Sequence, residues 1–250
     1  MRFILGIDTA SRFGSIALAR DGRAEAWEAL LPGEHSSGLS IAAARLLGDR
    51  ALTIADLAGV AVAAGPGSFT GLRIGLAWAK GVCSAIPTRM AVVSNHEASA
   101  HLHRHAGPLL ATVLPGERGE AQVALWSGGE EASLLFGPEG TPEGALVDVL
   151  LGAAGNSGRG AGKVAVPPGG IMAAGAGLTP AVREVLSTRG IRILESGDGA
   201  RAGGPDPISP PLAAAVAELG DRDLRAGREV NVAAATPSYG RAPNARRPGA

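Results

Sequence analysis

Short apolar runs alternate with amphipathic stretches along most of this chain. Phe3 to Ile7 and Ser15 to Arg20 read as two strands joined by Asp8-Thr9-Ala10-Ser11-Arg12-Phe13-Gly14, a hairpin with an acid at its mouth. Asp21-Gly22 marks a tight turn, and Arg23 to Leu30 a third strand. Leu39, Ala42, Ala43, Leu46 and Leu47 recur at helical spacing, so a helix opens at Glu34-His35-Ser36-Ser37-Gly38 and runs to about Gly48. Thr53 and Asp56 frame a short helical turn. Val60 to Ala64 is apolar without alternation, as expected of a central strand covered on both faces. Gly65-Pro66-Gly67 ends it. Ser68 and Thr70 offer oxygens to the first amides of a helix, which extends from about Thr70 to about Ala85 and is stopped by Pro87.

The second half repeats the theme. After a strand at Met90 to Val93, Ser94-Asn95-His96-Glu97 opens a helix that carries His101, His103 and His105 as far as Gly107-Pro108. Leu109 to Leu114 and Ala121 to Trp126 form another hairpin. A helix is expected over Thr141 to Gly152, then a glycine-rich loop to Gly170 around a short strand at Lys163 to Val166. A strand-turn segment from Ala173 to Leu178 holds Gly175-Ala176-Gly177. Thr179-Pro180 caps a helix to about Thr188, and Ile191 to Leu194 is a strand. Arg201 to Pro211 reads as a linker, Leu212 begins an alanine-rich helix reaching about Arg228, and Arg241 to Ala250 reads as a disordered tail. Alternating strands and helices with a hairpin opening each half predict an α/β protein of two lobes, each a mixed sheet flanked by helices. The cleft between them is the default ligand site.

Composition narrows the field of functions. Lys+Arg and Asp+Glu both number 23, which leaves no net field for gripping nucleic acid. Aromatics are only 3% of the chain, too few for a platform on which bases stack. One cysteine excludes an internal disulfide. No signal peptide precedes the first strand pattern, no apolar run is long enough to span a bilayer, and a cytoplasmic protein is expected.

Three features carry candidate chemistry. Gly71, Gly75, Ala79 and Cys83 recur every four residues, so one helical face is a stripe of small side chains. Such a stripe admits a close backbone, either this chain's own sheet or a partner helix. Asp8, Thr9 and Ser11 in the first hairpin either satisfy turn amides or hold a phosphate and its metal-bound water. His101 and His105 stand four apart, as a ligand pair or as solvated residues near a helix end; no third ligand is fixed by spacing. Two nucleotide motifs fail. Gly162-Lys163 is preceded by Ser157 where a phosphate loop needs glycine, and Gly65, Gly67 and Gly71 are spaced one residue too widely for the dinucleotide fingerprint.

Gly65-Pro66-Gly67-Ser68-Phe69-Thr70-Gly71-Leu72-Arg73-Ile74-Gly75 with Ala79-Lys80-Gly81 resembles the signature of the bacterial TsaB (YeaZ) family. Ile7-Asp8-Thr9, His35-Ser36, Arg118-Gly119-Glu120, Gly175-Ala176-Gly177 and Pro237-Ser238-Tyr239 with Arg241 extend the resemblance along the chain. The family's usual Asp-Ala-Arg in the second hairpin is Pro115-Gly116-Glu117 here. The resemblance implies a two-lobed actin-like (ASKHA, ribonuclease H-like) fold. Its N-terminal lobe would span 1–105 with the dimerisation helices, completed by 212–240; its C-terminal lobe would span 106–211, with the tail at 241–250.

It also implies a role in forming threonylcarbamoyladenosine in tRNA beside the anticodon. That role is a non-catalytic subunit's, partnered by a TsaD-type transferase and a TsaE-type ATPase, with a homodimer as the other pairing and tRNA met only through the complex. The partner interface would comprise Gly71, Leu72, Gly75, Leu76, Ala79 and Cys83, with His35 and Leu39 alongside. Candidate nucleotide-binding residues are Asp8, Thr9, Ser11, Gly175 and Gly177, with no cofactor held tightly and ATP or ADP expected only within the complex. The paralogue's two metal histidines align with Asn95 and Ser99, a poor pair for a transition metal, so no catalytic or metal residue is assigned. The alternatives are an ATP-dependent phosphotransferase built on Asp8, Thr9 and Ser11, and a metallo-hydrolase built on His101 and His105.

Overall fold

Asp21 and Gly22 both take positive φ, 49° and 88°, the conformation that folds two strands back on each other without splaying them. The turn joins β2 (Gly14–Arg20) to β3 (Arg23–Leu30), and β2 pairs antiparallel with β1 (Phe3–Asp8). Two further strands, β4 (Leu57–Ala63) and β5 (Arg89–Val93), run parallel to β1, giving the order β3-β2-β1-β4-β5. The computed structural model describes residues 1–116, 119–156, 170–194 and 210–238. The expected strand at Lys163 to Val166, the linker from Arg201 up to residue 209, Tyr239, Arg241 and the tail lie outside these residues.

The first sheet is covered on both faces, and its residue sizes decide how closely. Leu5, Ile7, Val60, Val62 and Met90 point toward α1 (Ser37–Gly48) and α2 (Phe69–Ala85), in one core with Leu39, Leu46 and Leu76. The opposite face carries Ile4, Gly6, Ala61, Ala63 and Ala91, and receives α3 (Asn95–Leu102) and α6 (Leu212–Arg225). Small residues there let α6 lie against the sheet backbone: a Cβ on Gly6 would collide with the Ala213 carbonyl, and one on Gly220 with Ala61. Thus α6, late in sequence, completes the sheet formed first. Beyond it Val230, Val232 and Ala235 pack against the first core, and the Val230 N–H donates to Met90 O at 2.9 Å beside the edge strand β5.

The second sheet repeats this plan. β6 (Leu109–Pro115), β7 (Glu120–Ser127) and β8 (Ser133–Pro142) form the antiparallel part, and β9 (Ile171–Ala174) and β10 (Arg192–Ile193) the parallel part, in the order β10-β9-β6-β7-β8. Helices α4 (Leu146–Asn156) and α5 (Pro180–Thr188) complete the lobe. This is the two-lobed actin-like plan that the sequence implies. No helix among the described residues is long and apolar enough to cross a membrane.

Two expected elements are corrected. The helix expected over Thr141 to Gly152 begins only at Leu146, because residues 133–142 form the edge strand β8 instead. Its sequence conceals a strand, since Gly137, Pro138 and Gly140 interrupt the apolar run, and an edge position tolerates such interruptions. The helix expected to carry three histidines ends at Leu102, which leaves His103 and His105 beyond it.

Candidate functional site

The glycine-rich turn after β4 is held from three directions. Gly65 N–H donates to Asn95 Oδ1 at 2.9 Å, and Asn95 N–H returns a bond to Gly65 O at 2.8 Å. Ser68 N–H donates to Ala10 O at 3.0 Å, tying the turn to the first hairpin, while Ser68 Oγ caps α2 by accepting from Gly71 N–H at 3.2 Å. From the far end of the chain, Ser238 N–H reaches Ala64 O at 2.7 Å. Gly65 has φ +113°, and a side chain there would run into the Ser238 backbone. Two landmarks of the sequence, the glycine turn and Pro237-Ser238, are therefore two sides of one contact.

Asp8 lies at the carboxyl end of β1, fully buried. Its Oδ1 accepts from Ala10 N–H at 2.8 Å and Ser11 N–H at 3.3 Å, whereas Oδ2 is buried without a partner among the described residues. Burial pushes its pKa above the usual carboxylate range, against the opposing pull of the Ser11 and Ala10 hydrogen bonds. Thr9 is committed elsewhere: its hydroxyl donates to Gly71 O at 2.6 Å. Gly177 N–H donates to Val113 O at 2.9 Å, and a Cβ on it would sit 2.6 Å from the Leu114 carbonyl carbon. Of the five candidate nucleotide-binding residues, only Ser11 and Gly175 line the cleft between the lobes. Thr9 and Gly177 are spent on backbone packing, and Asp8 stands behind the wall.

The small-residue stripe faces inward. Gly71 lies against the Thr9 carbonyl and Gly75 against Thr9 Oγ1, with Val62 and Ile7 just beyond. Leu39, Leu72, Leu76 and Ala79 are likewise buried in this chain, and Cys83 is half-buried, its thiol pushed up to about 11 by burial. The assignment of this stripe and Leu39 to a partner interface is therefore corrected, because the sheet of the same chain already occupies that face. His35 is also engaged internally: its Nε2 accepts from Gly14 N–H at 2.9 Å, and Gly14 has no room for a side chain beside the ring. The outward faces of α1 and α2 carry Ile41 and Phe69, 59% and 55% exposed, with Arg73 stacked over Phe69 at 4.8 Å. Trp78 Nε1–H donates to Ser40 Oγ at 2.9 Å and joins the two helices at the surface. The helical wheel carried this signal, since Ile41, Phe69 and Ala77 fall off the inward stripe.

The histidines separate. His101 Nε2 bonds Glu218 Oε2 at 2.7 Å, and Glu218 Oε1 also accepts from Ala24 N–H, so this residue ties α3 to α6 and β3. His101 and His105 do not share a helical face, and no cluster of three ligating side chains exists among the described residues. His96 bridges the lobes. Its Nδ1 lies 2.7 Å from Thr112 Oγ1 on β6, which also accepts from Trp126 Nε1–H at 3.0 Å. Burial drives its pKa down to about 4, and its Nε2 is buried without a partner among the described residues.

The cleft itself has a volume of about 160 Å³. The first lobe supplies Ala10, Ser11, Pro66, Gly67, Asn95 and Ser99; the second supplies Leu114, Pro115, Gly175 and Ala176; Leu212 closes it. Arg12 and His103, which sequence reasoning did not single out for this place, stand in the same lining. They come from turns whose meeting only the tertiary fold determines.

The family described as TsaD, tRNA N6-adenosine threonylcarbamoyltransferase, matches residues 31–131, the stretch that holds α1, the glycine turn, α2 and α3. The tRNA threonylcarbamoyladenosine biosynthesis protein TsaB of Bacillus subtilis (strain 168) is 34% identical over 124 residues, 49% of this chain and 54% of that protein. Its namesake from Escherichia coli (strain K12) is 30% identical over 146 residues, 54% of this chain and 63% of that protein. The matched regions thus span less than two thirds of those relatives. A crystal structure described as an uncharacterized protein with similarity to peptidase YEAZ from Pseudomonas aeruginosa superposes with TM-score 0.72 over 96% of this chain and 100% of that one, at 20% identity. YeaZ from Pseudomonas aeruginosa superposes with TM-score 0.68 over the same shares, also at 20% identity. Across its matched regions this chain is similar in sequence to TsaB proteins, and over nearly all its length it shares the fold of YeaZ.

Proposed function

We propose that the chain is a non-catalytic subunit for the formation of threonylcarbamoyladenosine in tRNA, acting in the cytoplasm by binding a TsaD-type transferase, together with a TsaE-type ATPase. The reading is supported by the unit from β4 through α3, which lies within the family match, and by the similarity to relatives named for that biosynthesis. Asn95, at one of the two positions aligned with the paralogue's metal histidines, gives its side-chain oxygen to the Gly65 amide, which supports an architectural role in place of a ligand's. The N-terminal lobe, 1–105 completed by 212–240, is the partner-binding part, and 106–211 the second lobe. ATP or ADP belongs to the assembled complex.

The partner surface is the outward face of α1 and α2, where Ile41 and Phe69 are exposed. Two large exposed apolar side chains on adjacent helices are the kind of anchor that an interface buries. Ile41→Glu with Phe69→Glu should abolish co-elution with the TsaD-type paralogue while leaving the unfolding midpoint unchanged. Retained co-elution of this folded double variant would overturn the assignment.

A further inference from the structure

Two side chains of α3 remain over when its architecture is accounted for. Asn95 and Ser99, one helical turn apart, are 3% and 5% exposed, and both line the cleft. Asn95 spends Oδ1 on the Gly65 amide, and its Nδ2 has no acceptor among the described residues; Ser99 Oγ has no partner among them either. Nδ2 lies on the side of Gly67, itself part of the lining. Neither atom belongs to the buried polar atoms cut off from solvent, so both open into the cleft, where a bound molecule can meet them.

We propose that the cleft binds a small uncharged molecule bearing a carbonyl group, of the primary amide or urea class. A planar amide offers a carbonyl oxygen to Asn95 Nδ2–H and an N–H to Ser99 Oγ, matching a donor and a hydroxyl one helical turn apart. The rest of the wall is largely apolar, with Ala10, Pro66, Leu102, Leu114, Ala176 and Leu212. A hydrocarbon would leave both polar groups unmatched.

An anion lacks a buried cation to receive it. Arg12 is exposed with its guanidinium 5.7 Å from the Phe13 ring centre, His103 is only partly buried, and the Asp8 carboxyl stands behind Ser11. The volume of about 160 Å³ suits a ligand smaller than those held by clefts of roughly 300–1,000 Å³. The proposal stands apart from the partner-subunit reading and is tested without a partner.

Acetamide is the probe, titrated into the full chain while the side-chain amide signals of Asn95 and the saturation transfer to the ligand are followed by NMR. Saturable binding in the millimolar range is expected, the range open to a ligand of about four heavy atoms. Ala176→Leu, at an exposed lining position, should fill the cleft and weaken binding at least about tenfold, and Ser99→Val should do the same. Acetate, alike in size but charged, should bind at least about tenfold more weakly than acetamide. Acetate binding as tightly as acetamide, ADP displacing acetamide from the cleft, or acetamide shifts unchanged in folded Ala176→Leu would each overturn the proposal.

Discussion

Gly71 and Gly81 lie in one helix, yet alanine should act on them in opposite directions. A Cβ at Gly71 has no room against the Thr9 carbonyl, whereas one at Gly81 meets nothing within 4 Å. Gly71→Ala should therefore cost about 3 kcal/mol, since overpacking against backbone outweighs the roughly 1 kcal/mol gain in helix propensity. Gly81→Ala should gain about 0.5–1 kcal/mol by that same propensity. Urea unfolding of both variants checks the pair, and a mild effect at Gly71 would mean that the stripe does not bear on the sheet. The spacing of the small residues identified a face made for close approach, but not what approaches it. That choice depends on the turn at Thr9, sixty-two positions away in sequence.

At the level of elements, α3 joins the lobes. It packs on α6 through Ala98 and contributes Ala100 to the core that contains Leu110 and Trp126 of the second sheet. His96 adds the polar part of this joint by bonding Thr112. Its folded pKa of about 4 lies below the ordinary 6.5, so between these values the unfolded chain binds the extra proton. The stability that neutral His96 supports is complete above pH 6.5 and falls as pH drops toward 4. Between pH 7 and 4.5 the loss should be about 2–3 kcal/mol, and His96→Leu should remove that part of the pH slope in urea titrations. Asp8, with its pKa raised, works in the opposite direction, its penalty growing as pH rises above the ordinary carboxylate value.

Strands and helices with clean periodicity, such as β1, β4, α1 and α2, were legible in the sequence. β8 was not, because its glycines and prolines carry the same marks as a loop. The site was legible in part: of the candidates Asp8, Thr9, Ser11, Gly175 and Gly177, Ser11 and Gly175 line the cleft, whereas Asn95 and Ser99 were marked only as the positions where the paralogue's metal histidines are replaced.

Across the whole molecule, the segment after α6 behaves as a strap over the first lobe. Val230, Val232 and Ala235 pack on its core, Lys80 Nζ donates to Ala233 O at 3.1 Å, and Ser238 closes on the glycine turn. Ending the chain at Arg228 removes three half-buried apolar side chains and these hydrogen bonds. About 3–5 kcal/mol of stability should go with them, with faster amide exchange at Gly65 and Asn95, as measured by urea unfolding and hydrogen exchange.

The return of α6 to β1 also sets an order of events during synthesis. The small-residue face of the first sheet, Gly6 and Ala61 included, is covered by residues 213–220, so these must leave the ribosome before that face can close. The second lobe has no such debt, since its β6 to β10 are emitted in one uninterrupted run. The lobe begun first is thus finished last. In the interval its uncovered sheet is the surface on which a nascent chain is exposed to misassociation.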